Sequence, residues 1–217
     1  MIITYHGSQC FKISQGDITL ALNPVSKNSK AKTNRFGADI TLITTDLPDY
    51  NGREQTSRGD KESFIIDGPG EYETKGIFIK GFLSSAKAGQ AHARAGQAQD
   101  SSEKINTIYL ISFEGINLCF LGALSNPALS EEILEAIEDV DILFLPVGKE
   151  TLEPAPAYKL AVSLEPSVII PMNYTAESLK QLLKEGGEEK VTPIDKFVVK
   201  KKDLEGKEGE LVVLKEE

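Results

Sequence analysis

The sequence predicts an α/β protein in which packed sheets carry helices on their outer faces. Three observations lead there. The first half reads as consecutive short strands separated by turns, and the second half alternates strand with helix. The chain has 217 residues, 40% hydrophobic and 26% charged, which suits one globular domain spanning residues 1–217. A chain of that length buries roughly 70% of the surface its unfolded form exposes, so its core needs neither disulfide nor metal.

The strands begin at Ile2–Tyr5, Cys10–Ile13 and Ile18–Leu22, with Gly7 and Gly16-Asp17 at the turns, a hairpin meander. A loop over 24–37 carries Lys27, Lys30, Lys32 and Arg35 and no acid. Ile40–Thr44 reads as a buried strand. Residues 45–62 are polar and rich in turn formers. Ser63–Asp67 is another apolar strand, closed by Gly68-Pro69-Gly70. Tyr72 and Ile77–Phe82 continue the strand-rich half.

Residues 84–104 differ in kind. They contain no Val, Ile, Leu, Phe, Met or Tyr, and Ala-Gly-Gln-Ala occurs twice, at 88–91 and 95–98. Without large apolar groups such a segment cannot offset its ordering entropy, so it reads as a flexible exposed insertion.

Beyond it, Ile108–Phe113 and Ile116–Leu121 form a hairpin around Glu114-Gly115. Ser130–Val140 has helical spacing, with Ile133, Ile137 and Val140 on one face and two glutamates at its positive end. Asp141–Val147 and Ser167–Met172 are strands. Between them Ala157, Leu160, Ala161 and Leu164 recur at helical spacing behind Pro154 and Pro156, which suit a first turn. Thr175 caps a helix running to Gly186-Gly187. Phe197–Lys200 and Leu211–Leu214 read as terminal strands.

Charge and composition exclude several functions. With 24 Lys+Arg against 33 Asp+Glu the net charge is −9, a poor match to nucleic acid or an anionic membrane. No apolar run approaches about 18 residues, so no membrane span is expected. The first residues read straight into a strand rather than a signal peptide. Two cysteines, Cys10 and Cys119, make no disulfide framework and point to a cytoplasmic setting. Only two histidines occur, His6 and His92, which excludes any mechanism needing three imidazoles.

YHGSQCFKI (5–13), DITLITTDLPDYNG (39–52), DGPGEYETKGIFIKG (67–81), INLCFLGALSNP (116–127), VDILFLPVG (140–148) and LEPSVIIPMNY (164–174) follow one another in an order that resembles the metallo-β-lactamase superfamily. The similarity is to its branch of ascorbate-phosphate lactonase-like and bacterial zinc-dependent hydrolases, and covers nearly the whole chain outside 84–104. The resemblance implies a four-layer αββα sandwich and hydrolytic relatives. Their signature, Thr-His-x-His-x-Asp-His after a buried strand, brings imidazoles and a carboxylate onto two zinc ions.

Here the matching stretch is Thr44-Thr45-Asp46-Leu47-Pro48-Asp49-Tyr50. Thr45, Leu47 and Tyr50 stand at the histidine places, and only Asp49 is retained. Ala123 replaces the bridging aspartate, Asn173 the histidine of an Ile-Pro-Met-His-Tyr stretch, and Asn23 an acid after the third strand. Leucine and alanine donate nothing, and Thr, Tyr and Asn are poor zinc ligands at neutral pH. The expectation is therefore a degenerate member with no metal or other cofactor. Its vestigial pocket would be lined by Thr45, Asp46, Leu47, Asp49, Tyr50, Ala123 and Asn173, and would bind a small polar ligand or serve a protein partner. Homo-oligomers are common in that branch. The alternative is a lactone, ester or phosphoester hydrolase with a rebuilt site, either metal-independent or using one hard cation near Asp46 and Asp49, with Asp67 and Glu71 in reach.

Other candidates have simpler explanations. The carboxylates suit turn hydrogen bonds. Cys10 and Cys119 sit in apolar surroundings and read as structural, with His6 beside Cys10 as the pairing to check. Ser8, Ser125 and Thr45 lie in no nucleophile-elbow pattern.

Overall fold

A computed structural model describes residues 1–87, 104–188 and 190–217. The meander forms as expected: β1 (Ile2–Tyr5), β2 (Phe11–Gln15) and β3 (Ile18–Leu22) are antiparallel neighbours. β4 (Ile40–Leu42) joins β3 in parallel and β5 (Phe64–Ile66) joins β4. β6 (Gly70–Thr74), β7 (Ile77–Ala86), β8 (Lys104–Phe113) and β9 (Ile116–Phe120) make an antiparallel run. Then α1 (Glu131–Ala136), β10 (Ile142–Pro146), α2 (Pro154–Ser163), β11 (Val168–Met172) and α3 (Ala176–Glu185) alternate, before β12 (Phe197–Val198) and β13 (Glu210–Leu211). The first sheet has the order β12-β1-β2-β3-β4-β5 and the second β13-β11-β10-β9-β8-β7-β6.

Strand alternation divides the apolar side chains between two cores. Ile3, Tyr5, Phe11, Ile13, Leu20 and Leu22 of the first sheet face Tyr109, Phe120, Phe144 and Ile170 of the second. Phe11 and Phe144 meet edge to face at 4.8 Å between ring centroids. The other face of the second sheet, with Cys119, Leu121, Leu143, Leu145 and Ile169, packs on Ile133 and Ile137 near α1, Leu160 and Ala161 of α2, and Leu182 and Leu183 near the end of α3. The fold is the expected αββα sandwich. Over the first sheet, the outer layer consists of the 24–39 loop and a 3-10 turn at Arg53–Gln55. There Phe36 stacks on His6 and lies under Lys12, and Thr41 donates to Thr56.

Several boundaries differ from expectation. β4 stops at Leu42, because the next backbone turns into a loop where the Thr44 N–H donates to the Asn23 side chain at 2.9 Å. The helix expected over Ser130–Val140 is regular only to Ala136, although Ile137 and Val140 remain buried. The terminal strands shrink to two residues each. The 84–104 stretch is corrected at both ends. Ser84, Ser85 and Ala86 pair with Asn106, Ile105 and Lys104 and lengthen the hairpin. Backbone ladder bonds need no large side chains, and the Asn106 amide secures this end by donating to Ser84 Oγ at 2.8 Å. The rest of the expected insertion, 88–103 with His92, lies outside the described residues. No helix among the described residues is long and apolar enough to cross a membrane.

Candidate functional site

The strand ends at one edge of the sandwich bring together the loop after β4, the turn after β9, the residues after β3 and β11, and the β1–β2 turn. Asn23 is at their centre and fully buried. Its Nδ2 donates to Gln9 Oε1 and to Thr44 Oγ1, each at 2.9 Å, while its Oδ1 accepts from the Thr44 N–H. A second amide, Asn106, donates to Ser84 Oγ and to the Leu121 carbonyl, and its Oδ1 accepts from the Ala123 N–H at 2.8 Å. Gly122, at φ 60°, lets this turn approach. A Cβ there would fall 2.6 Å from both Asn106 Oδ1 and Thr44 Oγ1. The loops are therefore tied by neutral amides and hydroxyls.

Of the seven expected pocket residues, three meet in an apolar cluster. Leu47, Tyr50 and Ala123 are buried and pack together with Ala86 from the end of β7. Burial pushes the Tyr50 phenol up to about 12, and its hydroxyl faces Asn173 Oδ1 at 3.5 Å. Asn173 is half-buried at φ 57°, its N–H donating to the Ser8 carbonyl at 2.7 Å. Thr45 is buried and its hydroxyl has no hydrogen-bond partner among the described residues. Asp46 points outward and accepts from Asn51 Nδ2 at 2.6 Å. Asp49 accepts from the Ser29 hydroxyl. Asp67 pairs with Arg53 at 3.2 Å and Glu71 with Lys80 at 3.2 Å. These carboxylates thus engage separate local partners. Among the described residues, no three His, Cys, Asp or Glu side chains converge as metal ligands do.

The family's zinc centre can be tested against these side chains. Nothing in the Leu47, Tyr50, Ala86 and Ala123 cluster carries a nitrogen, thiolate or carboxylate donor, and the apolar groups occupy the space against one another. The neighbouring Asn23 and Thr44 groups bond each other, and the Asn106 amide is taken up by Ser84, Leu121 and Ala123. The residues present do not fit a zinc ion.

Other candidate chemistry is also dispersed. The Cys10 thiol is buried and pushed up to about 12 by desolvation, and Cys119 is raised by the same cause. The His6 ring turns to Asn34, 3.1 Å from Nδ1, and to Glu217 at 3.7 Å, and burial lowers its pKa. The Ser125 hydroxyl donates to the Ser85 carbonyl. An open groove of about 1140 Å³ lies beside the packed cluster, lined by Ser8 and Asn173 together with Lys149, Glu150 and Thr175. Of the expected pocket residues it includes Asn173 alone.

Sequence reasoning missed Ala86 and Asn106. Asn106 did leave a signal, since an amide inside a strand flanked by β-branched residues is uncommon and asks for a partner. Ala86 left none.

A family model described as the β-lactamase superfamily domain matches residues 2–173. The UPF0173 metal-dependent hydrolase lin1612 of Listeria innocua is 25% identical over 198 residues, covering 80% of this chain and 85% of that one. Among solved structures, a Thermotoga maritima protein of the metallo-β-lactamase superfamily superposes with a TM-score of 0.74 at 24% identity, covering 98% of this chain and 97% of its own. Igni18, a metallo hydrolase of Ignicoccus hospitalis, gives a TM-score of 0.60 at 17% identity, with 92% and 99% covered.

Proposed function

Since the chain belongs to the metallo-β-lactamase superfamily, we propose that it is a member that has given up its zinc site and works as a cytoplasmic, non-catalytic protein-interaction scaffold. One observation carries this reading. Leu47, Tyr50, Ala86 and Ala123 pack against one another at the strand ends where the resemblance places zinc ligands. A filled pocket has little room for a small polar ligand, so the packing favours the scaffold over the ligand-binding form. Without a metal-bound water there is no hydroxide at neutral pH and no Lewis acid. The free, buried Cys10 and Cys119 agree with a reducing compartment.

Elemental analysis of the purified protein is the test. Zinc, iron and manganese should be far below one equivalent, and a tenfold excess of zinc should leave the melting temperature unchanged. Stoichiometric zinc or iron, or a zinc-dependent rise in melting temperature, overturns the reading.

The description of the Listeria relative as a metal-dependent hydrolase supports the second reading, a hydrolase with a rebuilt site. It would act at the loop that carries Asp46 and Asp49. Turnover of a lactone, ester or phosphodiester panel, abolished in Asp49→Ala, would establish it.

A further inference from the structure

The seven-stranded second sheet is covered unevenly on its outer face. α2 and α3 pack over β10 and β11, and the six-residue α1 stands alone toward β8. Beyond α1 lies a groove of about 460 Å³. Its floor is apolar: Phe78 is 56% exposed, and Leu110 lies diagonally beside it, since Phe78 pairs with Ser112 and Lys80 with Leu110. Its wall is acidic. Glu135 of α1 and Glu138 and Asp139 just after it are exposed, and none has a cation within ion-pair distance among the described residues. The one lysine in the groove, Lys80, is occupied by Glu71 and by the Phe82 ring, 5.1 Å below its ammonium.

From this combination we infer that the groove between α1 and strands β6–β8 is a docking site for a cationic amphipathic helix of a partner protein. The inference rests on the scaffold reading and names the partner's chemistry. An apolar floor beside unpaired carboxylates selects a segment with leucine-type anchors on one face and lysine or arginine beside them. A helix fits because α1, α2 and α3 already pack on this face, and one more would lie alongside α1 as helices pack on sheets. A second copy is disfavoured, because two acidic walls would meet in a chain of net charge −9. Residues 88–103 contain no large apolar side chain, so they cannot supply the anchors. The groove opens at the start of β7, the opposite end of that strand from Ala86 and the packed cluster.

The probe is a designed peptide of about five helical turns, leucine on one stripe and lysine elsewhere, carrying a fluorophore. Its anisotropy is read against the full chain. We expect saturable binding that weakens at least tenfold in Phe78→Ser and in Glu135→Lys/Glu138→Lys, and weakens with salt. Reversing two charges on α3, Glu177→Lys/Glu185→Lys, should leave it unchanged and so excludes attraction by net charge alone. Phe78 is exposed, so its replacement leaves the fold intact, which circular dichroism verifies. Absence of binding, equal binding of a leucine–glutamate peptide, or equal loss in the α3 variant overturns the inference. Two outcomes overturn it in favour of another occupant. Undiminished binding of a peptide broken by proline would indicate an extended ligand on the β6 edge, and a dimer dispersed by Phe78→Ser would indicate a second copy. Finding stoichiometric zinc would defeat the proposed function and leave this binding untouched, so the two can fail separately.

Discussion

Ala123 presents its methyl group to Leu47, Tyr50 and Ala86 while its N–H donates to Asn106. A carboxylate there would be buried among apolar groups with no cation beside it. Ala123→Asp should therefore cost at least about 3 kcal/mol, the usual scale for an uncompensated buried charge. A urea titration measures this, and added zinc should not recover the loss, because Leu47 and Tyr50 offer the ion no donor of the required kind. Recovery by zinc would mean that a latent site persists. At this scale the sequence was informative. The absence of histidine at positions 45, 47 and 50 was visible directly, and so was the alanine at 123. That Leu47, Tyr50 and Ala123 pack together follows from placing three apolar-bodied side chains in one pocket. Ala86 escaped because it borders a stretch without hydrophobic periodicity, and the signal at Asn106 asks for a partner without naming one.

Elements are joined here by polar ties as much as by the core. Asp39, just before β4, accepts from the Thr19 N–H in β3 at 3.0 Å, from Lys61 ahead of β5 at 3.2 Å and from Lys75 in the β6–β7 turn at 2.6 Å. One carboxylate thus links the first sheet to the turn that begins the second. Partial desolvation works against its charge, yet these donors hold its pKa at about 2, below the ordinary 3.8. A carboxyl with a depressed folded pKa stabilises above its unfolded value, and that contribution is lost as protons bind in the folded state. Stability should fall as pH drops from about 3.8 toward 2, and Asp39→Asn should flatten this part of the profile while lowering stability at neutral pH. Urea midpoints across a pH series measure both. An unchanged acid profile in the variant would show that the three donors do not hold the carboxylate in solution. Element types were legible from periodicity and turn residues, and β1 and β3 match to the residue. The ends of β4 and α1 were not, since a side chain captured Thr44's N–H and tertiary packing alone keeps Ile137 and Val140 inside.

For the molecule as a whole, the two cores enclose both faces of the second sheet. Cys119 lies fully buried on the helix side, and Cys10 is buried near Val25 at the other sheet. Both thiols are held protonated by burial. Neither should react with an aromatic disulfide reagent in native buffer, and both should become reactive together at the rate of global unfolding. Fast modification of one thiol alone would reveal a local opening that the packing does not predict.

The sequence by itself determined the α/β class, the order of elements along the chain and the absence of histidine at positions 45, 47 and 50. Each of these depends on residue type and short-range period, which are written along the chain. Only the tertiary structure decided that Leu47, Tyr50, Ala86 and Ala123 pack together, that neutral amides tie the loops around them, and that the β6–β8 part of one sheet face carries no helix among the described residues. Those depend on which distant residues meet, and close packing settles that through volume and hydrogen-bond partners drawn from all parts of the chain.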